Sequence, residues 1–180
     1  MATATAKMIS ADELLAMGDI GRCELIYGEL VMMSPAGPLH GAVAMRIGRL
    51  IAEYVEANDL GEVFAAETGF KVETNPDLVR APDAAFIRKS RLAEGYPKGF
   101  FTGAPDLAVE VMSPGDSRRA VAEKVNMWLA NGAISCWVAN PSLKVIDIHR
   151  TGETTERCDL ELRDEKILPG FVMPLAKVFK

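Results

Sequence analysis

The sequence has few cysteines, no excess of positive charge and no long hydrophobic run, and each of these absences excludes a class of protein. Its three cysteines, Cys23, Cys136 and Cys158, are far apart and have no histidine at ligand spacing. This pattern argues against a disulfide framework and against a structural zinc site. Because unpaired cysteines are typical of reducing compartments, we expect a cytoplasmic location.

The charge balance excludes a protein that attracts nucleic acid through a global basic field. Twenty Lys and Arg residues face 25 Asp and Glu residues, which gives a net charge of −5 and a pI near 5.1. A phosphate-bearing substrate must therefore be bound by local cations. No segment approaches the roughly 18 apolar residues that a membrane span requires, and residues 1–10 lack the apolar run of a signal peptide. We expect a protein that is neither exported nor embedded in a membrane.

What the sequence does contain is the composition of an ordinary globular protein. It is 49% hydrophobic and 25% charged, and its 180 residues suffice for one hydrophobic core. We predict a single domain over residues 10–180, preceded by a loose tail at 1–9.

The spacing of apolar residues predicts an α/β domain with a mixed sheet flanked by helices. Ser10 and Glu13 form a capping-box sequence for a first helix, and a 3.6-residue rhythm of apolar residues indicates a long helix before residue 58. Helices are predicted over 11–17, 39–58 and from Asp116 or Ser117 to Ala130. Strands are predicted over 23–27 and 29–33 as a hairpin, and over 62–66, 69–73, 84–87, 107–112, 134–139, 144–149 and 155–163. Residues 88–104 are predicted to form a loop with one helical turn.

Glu110 is the most informative residue, because it interrupts an otherwise apolar strand from Leu107 to Met112. A lone buried carboxylate costs several kcal/mol, so a buried Glu110 must be paired, protonated or bound to a cation. The alternative is an edge residue that faces solvent.

Asp83 is the second candidate carboxylate. It follows Pro82 at the start of a short apolar strand, although Pro-Asp by itself is also a common turn dipeptide. If its strand neighbours that of Glu110, the two carboxylates converge. Such a pair of oxygen ligands suits a hard cation such as Mg²⁺.

Lys124 lies on the helix that follows the Glu110 strand. It is three residues after Val121 and four before Trp128, at the border of the apolar stripe, so it can reach the edge of the sheet. A lysine at such a border is otherwise a solvated charge with a buried stem.

Several blocks of this sequence together resemble the Uma2 family, which is grouped with the restriction-endonuclease-like PD-(D/E)XK nucleases. The resemblance runs from about Ser10 to the C-terminus and implies the restriction-endonuclease-like fold. The blocks are ELIYGELVMMSP at 24–35, His40, APD at 81–83, PDLAVEVMSP at 105–114, Lys124, WLANG at 128–132 and Trp137.

The resemblance implies that Asp83 and Glu110 are metal ligands for Mg²⁺ or Mn²⁺. In the standard motif the lysine stands two residues after the acid, on the same face of the strand, and that position here is Met112. The resemblance implies that Lys124 supplies this lysine from the helix. Glu24 resembles a further acidic residue of the superfamily, while His40 matches a family position whose role stays open.

Two further groups of residues complete the sequence predictions. A local basic cluster around the Asp83 strand is a candidate for contact with a phosphate backbone, or else a solvated loop: Arg80, Arg88, Lys89, Arg91 and Lys98. A second set is predicted to lie in the core: Met32, Met33, Met45, Trp128 and Trp137. Glu29 is predicted to face solvent.

These features predict a metal-dependent endonuclease that hydrolyses DNA phosphodiester bonds, with Asp83, Glu110, Lys124 and Glu24 as catalytic residues. We expect a homodimer, because cutting both strands of a duplex usually takes two active sites. One alternative is a catalytically inactive module that binds nucleic acid or protein on the same fold, as Met112 and the acidic pI suggest. Another is a hydrolase of a small phosphorylated molecule.

Overall fold

The computed structural model describes residues 8–180. Residues 1–7 of the predicted N-terminal tail lie outside the described residues. In the described part of that tail, the backbone N–H of Ile9 donates to the carbonyl of Gly28 over 2.8 Å. Residues 8–9 are therefore held against the turn of the first hairpin.

The three predicted helices are confirmed to within about two residues at each end. Helix α1 has the predicted capping box, in which Ser10 accepts from the Glu13 amide and the Glu13 carboxylate accepts from the Ser10 amide. Ser117 caps the third helix in the same way at the Ala120 amide. The helices are α1 (Ala11–Ala16), α2 (Pro38–Ala57) and α3 (Arg118–Ala130), with 3₁₀ turns at Lys89–Leu92 and Leu175–Lys177.

The strands follow the predicted order, with short additions. They are β1 (Cys23–Ile26), β2 (Glu29–Met32), β3 (Gly61–Ala65), β4 (Phe70–Glu73), β5 (Leu78–Arg80), β6 (Ala84–Arg88), β7 (Phe101–Thr102), β8 (Leu107–Val111), β9 (Ser135–Asn140), β10 (Val145–His149), β11 (Glu156–Cys158), β12 (Glu161–Leu162) and β13 (Met173–Pro174).

The main sheet has the strand order β11-β10-β9-β8-β6-β3 and is mixed, as predicted, because β8 and β9 are parallel while its other pairs are antiparallel. Helix α2 and the C-terminal segment cover one face, where Leu107 and Val109 join their core. Helix α3 covers the other face, where Ala108 packs with Trp128. Since successive side chains of a strand point to opposite faces, β8 is buried on both sides, as its apolar run predicts.

A second sheet, ordered β2-β1-β5-β4-β7, lies beside the main one and contains two strands that the sequence prediction missed. Strand β5 is three residues long and β7 only two, too short to display an alternating pattern. Strand β5 pairs antiparallel with both β1 and β4, so it connects the β1–β2 hairpin to β4 within one sheet.

Two predictions about the fold are wrong. The strand predicted over 155–163 is divided in two, because β11 pairs with the main sheet while β12 pairs with β13, and Leu160 between them is exposed. Of the methionines predicted to be core, Met32 and Met45 are 56% and 68% exposed, since they lie on the edge strand β2 and the outer face of α2. Trp128 and Trp137 are fully buried, as predicted, and Glu29 is exposed.

Helices long and apolar enough to span a membrane are absent from residues 8–180.

Candidate active site

Strand β8 carries Glu110 into the space beneath helix α3. The side chains of its neighbours Val109 and Val111 point to the α2 face, so the alternation of the strand places Glu110 on the opposite face. Glu110 is only 7% exposed. The structure therefore excludes the solvent-facing alternative.

Asp83 lies opposite Glu110 on the neighbouring strand. Strands β6 and β8 pair antiparallel with Ala84 facing Val109, so the residue before Ala84 faces the residue after Val109. The Asp83 amide donates to the Val109 carbonyl over 2.9 Å, and the Val111 amide donates to Asp83 Oδ2 over 2.7 Å. The two strands are thus neighbours, which meets the condition for convergence, and both carboxylates enter one cleft.

Helix α3 supplies both side-chain partners of Glu110. Lys124 Nζ lies 3.0 Å from Oε2, and the Trp128 indole N–H donates to Oε1 over 2.8 Å. These two donors are four residues apart, so they lie one above the other on the same face of the helix. Burial raises the pKa of Glu110, and Asp83 raises it further, while Lys124 and Trp128 partly oppose this rise.

Lys124 keeps its proton in this environment. Burial alone lowers the pKa of its ammonium, but the carboxylates of Glu110, Glu24 and Asp83 outweigh burial and raise that pKa. The predicted reach of Lys124 to the sheet is confirmed by its contact with Glu110. Met112, at the standard lysine position, lines the same cleft.

His40 and Arg22 bring two further groups to Asp83. His40 Nε2 lies 2.9 Å from Asp83 Oδ1, and its Nδ1 lies 3.1 Å from Ser113 Oγ. The hydrogen bond to Asp83 raises the pKa of His40. An Arg22 guanidinium nitrogen lies 3.8 Å from Asp83 Oδ1. Sequence reasoning left His40 open and missed Arg22, which precedes β1 in a loop without a motif.

Glu24 lies in an adjoining cavity that is separate from the Asp83 and Glu110 cleft. Its carboxylate is 3.6 Å from Arg80 Nε, and it does not line the cleft that contains Asp83 and Glu110. Its negative charge is one of the causes that raise the pKa of Lys124.

The cations predicted to cluster around the Asp83 strand are not gathered at Asp83 itself. Asp83 precedes β6, whereas Arg88 ends that strand, about 17 Å away at 3.3–3.4 Å per residue. Lys89 pairs with Asp59 and Arg91 with Asp106, so these cations are neutralised by other partners. The charge of Arg80 faces Glu24 instead.

The cleft has a volume of about 520 Å³, and its walls come from the segment after β2, the start of α2 and the start of α3. Among residues 8–180, groups of three or more His, Cys, Asp or Glu side chains that could hold a metal ion are absent. Mg²⁺, however, commonly binds one or two carboxylates and completes its shell with water and substrate phosphate. Asp83 and Glu110, as adjacent hard oxygen donors, fit that mode of binding.

Comparisons with known proteins identify the fold and the family of the chain. The chain is similar to a solved structure from Anabaena variabilis described as "a putative nuclease belonging to DUF820", with 21% identity, a TM-score of 0.80, and coverage of 95% of this chain and 97% of that one. That likeness confirms the fold. No curated protein matches the sequence. A family model described as "Putative restriction endonuclease" matches residues 11–176, which span almost the whole chain. The chain belongs to the Uma2 family.

Proposed function

We propose that this protein is a metal-dependent endonuclease that hydrolyses DNA phosphodiester bonds. The observation that carries the proposal is the juxtaposition of Asp83 and Glu110 on paired strands, with Lys124 Nζ 3.0 Å from Glu110. A structural ion pair would need only one of these carboxylates. Two carboxylates, a lysine and a histidine in one open cleft are the groups that a phosphoryl-transfer site needs.

Asp83 and Glu110 would hold one or two Mg²⁺ or Mn²⁺ ions. Such an ion, when bound, lowers the pKa of a coordinated water and neutralises charge on the phosphate. His40 fixes the orientation of the Asp83 carboxylate, since hydrogen-bonded partners of ligands set ligand geometry. Trp128 does the same for Glu110.

Lys124 supplies the positive charge of the site. Its ammonium is protonated and held beside the carboxylates, so it can orient the attacking water or stabilise the charge that develops on the phosphate. Arg22 provides a second cation at the mouth of the cleft. Glu24 is an auxiliary residue in this scheme, because it keeps Lys124 charged.

The test is cleavage of supercoiled plasmid DNA with Mg²⁺ or Mn²⁺. We expect cleavage by the wild type, none with EDTA, and a loss of at least about 100-fold in Asp83→Asn and Glu110→Gln. Asp147→Asn and Glu161→Gln are matched controls, since both carboxylates form ion pairs outside the cleft, and they should cleave normally. Equal cleavage by the site variants and their controls would contradict the proposal.

Calorimetry with Mn²⁺ separates metal binding from the choice of substrate. Wild type should bind Mn²⁺, and the double variant Asp83→Ala/Glu110→Ala should not. Binding that persists in the double variant would place the metal elsewhere.

The alternative is a catalytically inactive module that binds nucleic acid or protein. Met112 at the standard lysine position favours it, as does the protein donor that each oxygen of the two carboxylates already has. Such a module should bind its partner equally well with EDTA present. The nuclease requires the ion for cleavage, so binding and cleavage measured together with and without EDTA distinguish them: the inactive module binds in both conditions and cleaves in neither.

A homodimer and a cytoplasmic location belong to the same proposal. Two copies of the site would be needed to cut both strands, so sedimentation should give twice the 19.5 kDa chain mass. A monomer at micromolar concentration would instead predict nicking of one strand. The cysteines at 23, 136 and 158 are free thiols, which suits a reducing compartment.

A further inference from the structure

A second cavity adjoins the cleft on the other side of Lys124. It has a volume of about 410 Å³ and lies among α1, the loop before β1, and the β4–β5 pair. Arg22, Met33 and Lys124 line both cavities. A ligand that binds Arg22 and Lys124 in the cleft can therefore extend directly into the second cavity.

The lining of this cavity combines apolar side chains with charged ones. Leu14, Ile20 and Phe100 contribute apolar surface, including one aromatic ring. Its volume lies within the range of about 300–1,000 Å³ that is typical of small-molecule sites.

Arg80 and Glu24 are two of the charged side chains that line this cavity. Arg80 Nε is buried, and among residues 8–180 it has no hydrogen-bond partner, since Glu24 Oε2 is 3.6 Å away. A buried donor without a partner costs about 1–3 kcal/mol, so a small turn of the Arg80 guanidinium that lets Nε donate to a ligand acceptor would recover that cost. Glu24 beside it is an acceptor, so the two side chains together can match a ligand edge that carries both an acceptor and a donor.

We propose that this cavity binds an unpaired nucleobase whose phosphodiester lies in the adjoining cleft, an inference that rests on the proposed nuclease function. Every nucleobase combines a flat apolar face with an edge of donors and acceptors. The apolar walls and Phe100 fit the face, and Arg80 with Glu24 fits the edge. Arg22 and Lys124, which line both the cavity and the cleft, fit the phosphate next to the bound base.

This assignment also defines the form of the substrate. A base that is stacked and paired within a duplex cannot enter a cavity, so it must come from a single strand or be turned out of the helix. The protein therefore acts where a nucleotide next to the scissile phosphate is unpaired.

The test is ¹⁵N–¹H NMR of the metal-free protein in EDTA with the dinucleotide dTpdT, which has one phosphodiester and two bases. The Arg80 Nε–H signal is identified by its loss in Arg80→Lys. We expect dTpdT to shift that signal and the Ile20 amide, and deoxyribose 5-phosphate, which lacks a base, to leave both unmoved. Shifts confined to the cleft near Ser113, equal shifts with deoxyribose 5-phosphate, or no shifts with either compound would overturn the proposal.

A pair of variants on α1 tests the cavity itself. Leu15 is 47% exposed and lines it, whereas Met17, at the end of the same helix, is 43% exposed and does not. Leu15→Trp should fill the cavity and weaken dTpdT binding by at least about fivefold, as expected for loss of one stacked base. Met17→Trp should leave the affinity within about twofold of the wild type. Equal affinities in folded Leu15→Trp and Met17→Trp would contradict the assignment.

The two proposals fail separately. DNA cleavage by a wild type whose Arg80 signal does not respond to dTpdT would keep the nuclease and remove the base cavity. A responsive Arg80 signal in a protein that never cleaves DNA would keep the nucleobase cavity and remove the nuclease.

Discussion

Trp128 donates its indole N–H to Oε1 of Glu110 over 2.8 Å, one helical turn beyond the lysine that holds the other oxygen. A tryptophan that is predicted to be a core residue therefore also fixes the orientation of the candidate metal ligand. Because the indole contacts this carboxylate, we expect metal binding or protonation at Glu110 to change the fluorescence emission of Trp128.

In Trp137→Phe protein, Trp128 is the single remaining tryptophan. This background should fold, because Arg150 continues to bind Asp164 after the Trp137 indole is removed. We expect Mn²⁺ to change the emission of Trp128 in a saturable way, since the ion would bind the carboxylate that the indole contacts. Adding Glu110→Gln should abolish the change. An identical response in both proteins would mean that Mn²⁺ binds elsewhere.

Removal of Lys124 should destabilise the protein more than removal of the whole pair. Lys124→Met leaves the buried Glu110 carboxylate without its cation, which we expect to lower the free energy of unfolding by about 1–3 kcal/mol at pH 7.5. The double variant Lys124→Met/Glu110→Gln should recover part of that loss, because position 110 then carries no buried charge without its cation. Urea unfolding measures the free energy of unfolding of both variants.

Lys166→Met, which removes an exposed partner of Glu153, is the control and should change the free energy of unfolding by less than about 0.5 kcal/mol. A double variant less stable than Lys124→Met would contradict this reasoning.

His40→Ala should weaken Mn²⁺ binding about 10–100-fold, because the Asp83 carboxylate loses the group that orients it. His40→Gln should restore part of the affinity, since its amide can still donate to Asp83. Calorimetry gives the dissociation constants. An unchanged constant in His40→Ala would show that the Val111 amide alone holds Asp83 in place.

His149 should make the protein less stable as the pH falls. Burial lowers the pKa of this imidazole below its ordinary value of about 6.5, and the negative charge of Asp147 offsets only part of that decrease. The unfolded chain then binds the proton more tightly than the folded one, so the free energy of unfolding falls as the pH drops through about 6.5 to the folded pKa. The stability difference between wild type and His149→Gln should therefore shrink from pH 8 to pH 5. A difference that is constant over that range would contradict a lowered pKa.

The sequence by itself determined the elements whose signals are local. The capping box at Ser10, the helix rhythm of α2 and the apolar run around Glu110 each depend on residues within a few positions of one another, so the pattern predicts them. The central strands were predictable for the same reason. The helix position of Lys124 likewise follows from the 3.6-residue period.

Only the tertiary structure decided which distant residues meet. His40 and Asp83 are 43 residues apart and touch because α2 packs on β6 and β8 with its first turn next to Asp83, a fact of tertiary packing that no local pattern contains. The placement of Glu24 beside Arg80 likewise depends on β5, which is too short to leave a pattern. Local periodicity fixes helices and strands, whereas a site is assembled by long-range pairing, and that pairing brings Arg22, His40 and the second cavity to the carboxylates.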